Sequence, residues 1–306
     1  MRHSSFSLQR FLPRHRPPAS LHPRGDAGDG LRIRWLGTAG HVVQTATTTV
    51  LIDPFLSRPG LLKTGFGRLR PHTERWGSWL PDSVDAIACG HSHYDHVMDA
   101  PEIARRTGCL LLGSPTTMAF ARAHGVAETQ LCEIPPEGAT HRVGDVDVRF
   151  VPSLHGRILA GRVPFAGEVR TPPRLPARVF HYRMGGAFGI HLTTPWGRVY
   201  HNGSADLVDA ELEGLEAEVM LVGLAGRQAT PRYLPRLMHA LRPQVVVPTH
   251  HDAFFAPLEL GVRLLPSVDL PGFVREVGSI DHRAYVRLPT YESTLVVHDS
   301  KALFEV

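Results

Sequence analysis

The chain has 306 residues and a mass of 33.7 kDa, with 42% hydrophobic and 20% charged residues. This composition supplies a sizeable core and excludes a disordered or fibrous chain. The formal net charge is +4 at pH 7, but the excess lies mainly in residues 1–30, where five arginines accompany two aspartates. A nucleic-acid-binding protein would carry its charge on a folded face, so nucleic acid is not an expected partner.

Residues 1–30 are rich in Pro, Arg, Ser and His and contain no apolar run typical of a secretory signal. We expect a disordered basic tail there, followed by a single domain over 31–306. The sequence contains no uninterrupted run of about 18 apolar residues, so a membrane-spanning helix is not expected. The three cysteines, Cys89, Cys109 and Cys132, form no C-x-x-C pair and predict no disulfide framework, so a cytoplasmic location is expected.

Hydrophobic patterns predict strands that alternate with helical crossovers in both halves of the chain. The predicted strands span 31–36, a short segment around Val42, 48–53, 84–90, 109–113, 146–151, 185–192, 197–202, 218–224 and 244–250. The predicted helices span 101–107, 115–124 and 231–242. Strands on both sides of helical crossovers indicate an α/β fold with two mixed sheets facing each other and helices outside, a four-layer αββα sandwich.

Two stretches interrupt this pattern and are interpreted as insertions. Residues 56–82 contain two tryptophans, two prolines and several glycines, and residues 156–178 are rich in Pro, Gly and Arg without clear periodicity. The second stretch is too long for an ordinary connection, so we predict that it forms a lid or a binding loop.

The strongest chemical signal follows the predicted strand at 84–90. Positions 91–96 read His-Ser-His-Tyr-Asp-His. In an extended segment, His91 and His93 point to the same side because side chains alternate. Imidazole and carboxylate groups in this concentration suit Zn²⁺ and also permit Fe or Mn. The alternative is a polar loop whose histidines only form hydrogen bonds, but three His and one Asp within six positions favour a metal site.

This motif resembles the hallmark of the metallo-β-lactamase superfamily of hydrolases, and the resemblance extends from about Leu31 to Phe255. The other elements of the family follow in the family's order, each at a predicted strand end. They are Asp53 in VLIDPF, His155 in VPSLHG, Asp206 in YHNGSAD and His250 in VVVPTHHD. The resemblance implies the αββα fold and a dinuclear metal-dependent hydrolase.

By resemblance, the centre would hold two ions, expected to be Zn²⁺, with Mn or Fe as alternatives. The implied ligands are His91, His93 and His155 for the first ion, Asp95, His96 and His250 for the second, and Asp206 as a bridge. Asp53 would lie buried behind the ligands and steady their loop through hydrogen bonds. His250 is preferred to His251 because the family places a bulky residue and then Asp after this ligand.

Two adjacent cations would lower the pKa of a bridging water and yield hydroxide near neutral pH. Asp95 and Asp206 would orient this hydroxide, while the metals polarise the scissile C=O or P=O bond. A leaving group would still need a proton. The candidate donors, for each of which packing is the alternative role, are His181, Tyr182, His201 and His251.

The pattern at 91–96 with Pro-Thr-His-His-Asp at 248–252 resembles the branch that includes ascorbate-phosphate lactonase and the phospholipase D acting on N-acyl phosphatidylethanolamines. It implies hydrolysis of a phosphodiester or of a lactone or other ester, with a small anionic substrate. Arginines beside the ligand loops could bind such an anion. The candidate substrate-binding residues are Arg157, Arg162, Arg170, Arg227, His251 and Phe254.

Two other functions remain open at this point. A scaffold of the same fold could bind metal without turnover, although the complete ligand set favours an enzyme. A membrane-associated phospholipase is the other alternative, suggested by the branch resemblance and by apolar residues in the loops, namely Phe165, Phe254 and Phe255.

Overall fold

The computed structural model describes residues 30–158 and 160–298 and the backbone of 301–305. The predicted basic tail, apart from Gly30, lies outside the described residues. No helix in the described part of the chain is both long and apolar enough to cross a membrane.

Fifteen strands and six α-helices make up the regular structure of the described residues. The strands are β1 (Leu31–Gly37), β2 (Gly40–Gln44), β3 (Thr49–Ile52), β4 (Ala86–Ala88), β5 (Leu110–Gly113), β6 (Leu131–Glu133), β7 (Ala139–Val143), β8 (Val146–Pro152), β9 (Phe188–Thr194), β10 (Gly197–Asn202), β11 (Val219–Gly223), β12 (Val245–Thr249), β13 (Tyr285–Val286), β14 (Thr294–His298) and β15 (Lys301–Glu305). The helices are α1 (Leu61–Phe66), α2 (Tyr94–Val97), α3 (Ala100–Thr107), α4 (Pro115–Ala123), α5 (Tyr233–Leu241) and α6 (Leu270–Ile280).

The strands form two mixed sheets, which confirms the predicted sheet class. The first has eight strands in the order β15-β14-β1-β2-β3-β4-β5-β6, antiparallel as far as β3 and parallel from β3 to β6. The second has seven strands in the order β13-β12-β11-β10-β9-β8-β7, parallel from β13 to β10 and antiparallel beyond. Parallel pairs need crossovers, which supply the helices on the outer faces.

Three apolar clusters show the four layers. One lies between the sheets and joins residues such as Val50 of the first sheet to Ile190 and Leu221 of the second. Another packs the helices α3 and α4 on the outside of the first sheet. A further cluster packs α5 and α6, including Leu237 and Phe273, on the outside of the second sheet. Each sheet is therefore buried on both faces, as the αββα prediction required.

The predicted insertion at 56–82 is integrated into the fold. It contains α1 and buries Leu69, Trp76 and Trp79 against the outer cluster of the first sheet. Its backbone also meets the second insertion, because the Leu69 amide donates a 2.6 Å hydrogen bond to the Ala177 carbonyl. The two stretches that lack sequence periodicity thus contact each other.

Several elements differ from the sequence prediction. The helix expected at 231–242 begins at Tyr233, because Arg232 adopts a left-handed backbone conformation with φ 52°. Helices α1, α2 and α6 were not predicted, nor were strands β6 and β7 and those from β13 onward. Gly272 and Gly278 weaken the helical signal of α6, whose first turn is capped by the Asp269 side chain accepting from the Gly272 amide at 2.8 Å.

Candidate metal centre

The candidate ligands lie where strands end at one edge of the sandwich. Asp53 follows β3 and His91 closely follows β4, and these strands are parallel neighbours. His250 follows β12 in the parallel part of the second sheet. His155 forms an isolated antiparallel bridge with Ala205 beyond β10. Because parallel strands end at a common edge, residues far apart in sequence converge there.

Two groups of three side chains could each hold a cation. Within each group the nearest ligand atoms lie within 4.8 Å of one another; the groups are His91, His93 and His155, and Asp95, His96 and His250. The rings of His91 and His96 are 3.7 Å apart between centroids, so the two groups are adjacent. A further grouping, Asp53 with His91 and His96, overlaps both. Imidazole and carboxylate donors in this arrangement fit a transition-metal ion such as Zn²⁺.

Backbone carbonyls fix the orientation of two histidines in the first group. His93 donates from Nε2 to the Pro164 carbonyl at 2.9 Å, and His155 donates from Nδ1 to the Gly156 carbonyl at 2.9 Å. The other nitrogen of each ring therefore keeps its lone pair for a metal. Nδ1 of His93 lies 3.1 Å from Nε2 of His91, as expected for two nitrogens that converge on one cation.

Asp53 lies behind the candidate ligands. It is fully buried, and its two carboxylate oxygens accept hydrogen bonds from the Gly90 amide at 2.7 Å and from His96 Nδ1 at 2.8 Å. The first bond anchors the start of the 91–96 loop. The second leaves Nε2 of His96 available as a ligand, and a carboxylate partner also raises the basicity of the imidazole.

The electrostatics of the site favour the protonation states that bind metal. Burial, together with the charges of His96 and His93, holds the pKa of His91 well below its usual range, and burial lowers the pKa of His93 to about 3. Burial alone would raise the pKa of Asp95, but His96 and His250 hold it below its usual range. His91 and His93 are therefore neutral and Asp95 is ionised near neutral pH, whereas Asp53 and Asp95 outweigh burial and raise the pKa of His96.

A buried network behind the second group was missed at the sequence level. The His250 amide donates to the Thr38 carbonyl at 2.7 Å, and the Thr38 amide donates to Asp252 Oδ1 at 2.9 Å. Asp252 also pairs with the buried guanidinium of Arg58 and accepts from the Tyr291 hydroxyl at 2.7 Å. The network fixes the loop that carries His250. Arg58 lies in the 56–82 insertion, and no local pattern signalled its role.

The structure does not bring Asp206 to the other ligands. Its Oδ1 accepts from the Leu207 amide at 2.9 Å, and its carboxylate belongs to none of the ligand groups formed by the described residues. Ala205, with φ 58°, reverses the backbone between positions 204 and 206. Ser204 lines the cavity over the ligands instead. The bridging and water-orienting roles expected of Asp206 have no geometric support.

A cavity of about 640 Å³ opens over both ligand groups. Part of its wall comes from the 156–178 stretch, through Arg157, Ile158 and Phe165. Phe254 also lines it and packs against the His250 ring at 5.3 Å between centroids. Apart from the candidate ligands, Arg157 is the one charged side chain among the described residues that line the cavity.

Other predicted substrate-binding residues lie elsewhere. Arg227 forms an ion pair with Glu276 at 2.7 Å and does not line the cavity. His251 is buried and stacks on Trp35 with 4.5 Å between ring centroids. Neither side chain therefore faces the space above the candidate ligands.

None of the four predicted proton donors lines the cavity. His181 is exposed, and its Nδ1 accepts from the Arg178 amide at 3.2 Å. Tyr182 is buried and stacks on Phe120, and His201 is buried. The structure therefore gives these side chains packing or surface positions, which was the alternative considered for each.

Comparisons with known proteins agree with this architecture. The sequence profile of the β-lactamase superfamily domain matches residues 32–250. A metal-dependent hydrolase of Methanopyrus kandleri is 30% identical over 243 residues, covering 75% of this chain and 87% of the relative. A metal-dependent hydrolase of Anaeromyxobacter dehalogenans is 29% identical over 244 residues, covering 77% of this chain and 79% of the relative.

Two solved structures share the fold. A metallo hydrolase from Ignicoccus hospitalis superposes with a TM-score of 0.60 at 20% identity, covering 88% of this chain and 99% of the other. A diiron β-hydroxylase from Streptomyces venezuelae superposes with a TM-score of 0.55 at 16% identity, covering 88% of this chain and 54% of the other. The profile match spans well over half of the sequence and includes all the candidate ligands. The chain therefore belongs to the metallo-β-lactamase superfamily.

Proposed function

We propose that this protein is a metal-dependent hydrolase of a small anionic ester, lactone or phosphodiester. The observation that carries the proposal is the pair of adjacent three-ligand groups at the base of a single cavity. The relatives named as metal-dependent hydrolases support the same reaction class. Zn²⁺ is the proposed metal, because the donors are imidazoles and one carboxylate.

When bound, such cations supply Lewis acidity, which lowers the pKa of water and polarises the scissile bond. The protein's own contribution is to fix the ligands. His93, His96 and His155 each donate one ring N–H to an oxygen of the protein, so the remaining ring nitrogen is held in place. Catalysis of this kind depends on preorganised groups that need no rearrangement during the reaction.

Asp95 is proposed to orient the attacking water. Its Oδ2 lies 3.2 Å from His250 Nε2 and 3.9 Å from His96 Nε2, at the floor of the cavity. The water oxygen attacks carbon or phosphorus, the bond to the leaving oxygen breaks, and the water proton passes to that oxygen. None of the predicted proton donors lines the cavity. Asp95 is therefore proposed to carry the water proton to the leaving oxygen, so that no further acid is needed.

The cavity wall supports an amphipathic anionic substrate. Arg157 supplies a cation that can bind a carboxylate or phosphate through paired hydrogen bonds. Ile158, Phe165, Phe254 and Leu265 supply apolar contact area around it. Pockets with a mostly apolar wall and few polar groups are typical of small-molecule sites.

The test is hydrolysis of an aryl phosphodiester, a lactone and an aryl carboxylester by the full chain, before and after removal and return of zinc. His93→Ala should abolish turnover, because it removes a ligand of the first group. His239→Ala, an exposed histidine on α5, is the matched control and should behave as wild type. A metal-loaded wild type that turns over none of the three would favour the scaffold alternative.

A further inference from the structure

We propose that Ser204 occupies the position beside both ligand groups, so that the centre has no bridging carboxylate and holds two cations unequally, one tightly and one weakly. The inference rests on the metal centre of the proposed function. It concerns how many ions the resting protein retains, and it corrects the expectation that Asp206 bridges them.

Contacts of the backbone segment 203–205 define the position of Ser204. On one side, the Ser204 carbonyl accepts from the Gly156 amide at 2.8 Å, and Ala205 pairs with His155 of the first group. On the other side, a Cβ on Gly203 would lie 3.3 Å from Oδ2 of Asp53, the oxygen that binds His96 of the second group. The segment 203–204 therefore passes between the surroundings of the two groups, and Ser204 lines the cavity there while only 3% exposed.

Asp206 faces another part of the molecule. Its charge acts on the buried Tyr233 hydroxyl, whose pKa is raised by burial first and by Tyr200 and Asp206 further, and on the Arg236 guanidinium. Both belong to α5, on the outer face of the second sheet. The left-handed conformation of Ala205 accounts for this direction, because an extended chain would have placed positions 204 and 206 on the same side.

The charge balance then predicts unequal binding. Of the six residues in the two adjacent groups, only Asp95 is an anion, and Asp53 is already engaged by Gly90 and His96. Two dications a few ångströms apart repel each other, and a bridging carboxylate offsets this repulsion. The neutral hydroxyl of Ser204 does not, and it is a weaker ligand for Zn²⁺ than a carboxylate. The second ion therefore binds against a larger electrostatic cost than the first.

The experiment counts zinc. Metal-free full-length protein is dialysed against buffered free Zn²⁺, and the ions per chain are measured at each concentration. Wild type should bind one ion tightly and a second at least about 100-fold more weakly, since losing only an outer hydrogen-bond partner already costs 10–100-fold. Ser204→Asp should raise the zinc affinity of the second site at least about 10-fold. Ser204→Asn should not, because Asn has the size of Asp but no charge.

Zinc binding by Asp206→Asn is a second test, which does not depend on whether the Ser204 variants fold. It should leave both zinc affinities unchanged, whereas a bridging role would cost the second ion. Two ions of equal affinity in wild type, loss of an ion in Asp206→Asn, or an unchanged second site in a folded Ser204→Asp would each overturn the inference and leave the hydrolase proposal standing. Failure of wild type to bind any zinc would overturn both.

Discussion

Replacing Asp53 by Asn separates metal affinity from folding. The carboxylate accepts from the Gly90 amide and from His96 Nδ1. Asn retains an oxygen for Gly90 and tolerates the left-handed backbone at this position, where φ is 42°. Its NH₂ group, however, cannot accept the His96 proton. His96 must either face another donor or move its proton to Nε2, the atom required by the metal.

The expected magnitude follows from these contacts. Removing the hydrogen-bond partner of a metal-binding histidine costs about 10–100-fold in metal affinity, or about 1.4–2.7 kcal/mol. Leaving the buried His96 N–H unsatisfied costs the metal-free protein about 1–3 kcal/mol of unfolding free energy. We therefore expect Asp53→Asn to fold, to be moderately less stable, and to release zinc to a competing chelator at least about 10-fold more readily.

Asp99→Asn is the matched control for the loss of a buried carboxylate. Asp99 is fully buried and accepts from the Leu56 and Ser57 amides at 2.7 Å, but it contacts no candidate ligand through these bonds. It should lose stability without a comparable loss of zinc affinity. Equal zinc affinity in wild type and Asp53→Asn, or equal losses in both variants, would refute the reasoning that Asp53 acts through His96.

Three further predictions concern the buried charges and the cavity. Asp252→Ala leaves the Arg58 guanidinium buried and without its carboxylate partner, so urea denaturation should show a loss of about 3–5 kcal/mol. Burial lowers the pKa of His201 to about 4, so below about pH 6.5 the unfolded chain binds a proton that the folded chain does not. The unfolding free energy of the metal-free protein should therefore decrease as pH falls from 6.5 to 4. In His201→Phe this decrease should be smaller than in wild type by up to about 3 kcal/mol. Arg157→Ala should raise KM for an anionic phosphodiester about 10-fold, with little change in kcat or in turnover of a neutral lactone.

Each of these has a contradicting result. An Asp252→Ala variant as stable as wild type would mean that the buried charge of Arg58 does not need the Asp252 carboxylate. Parallel pH–stability curves for wild type and His201→Phe would exclude His201 as a source of acid sensitivity. For Arg157, equal effects on the anionic and neutral substrates would contradict a charge-specific role, and the exposed Arg174→Ala serves as control.

Much of the centre was predictable because strand ends share an edge. Asp53, His155 and His250 are far apart in sequence, yet each follows a strand that the hydrophobic pattern identified, and the structure brings all three to the 91–96 loop. Strand periodicity is a local property, and the convergence of parallel strand ends is a general one. These two regularities, together with the family resemblance, bring the candidate ligands to one edge of the sandwich.

Features that depend on local backbone direction or on distant pairing were not predictable in the same way. Asp206 follows a predicted strand as the candidate ligands do, but the left-handed Ala205 turns it outward. His251 directly follows His250 in sequence, yet its ring stacks on Trp35, and Arg227 pairs with Glu276 and does not line the cavity. Strand β14 pairs with β1 from the other end of the chain, and such a pairing leaves no local signal.

The most direct test of the central claim is the metal content of the full chain, purified without chelator and measured beside His93→Ala. At least one transition-metal ion per chain in wild type, with a clear loss in a His93→Ala variant of unchanged circular dichroism, is the predicted result. A wild type without bound metal, or equal metal content in both proteins, would contradict the assignment of these histidines to a metal centre.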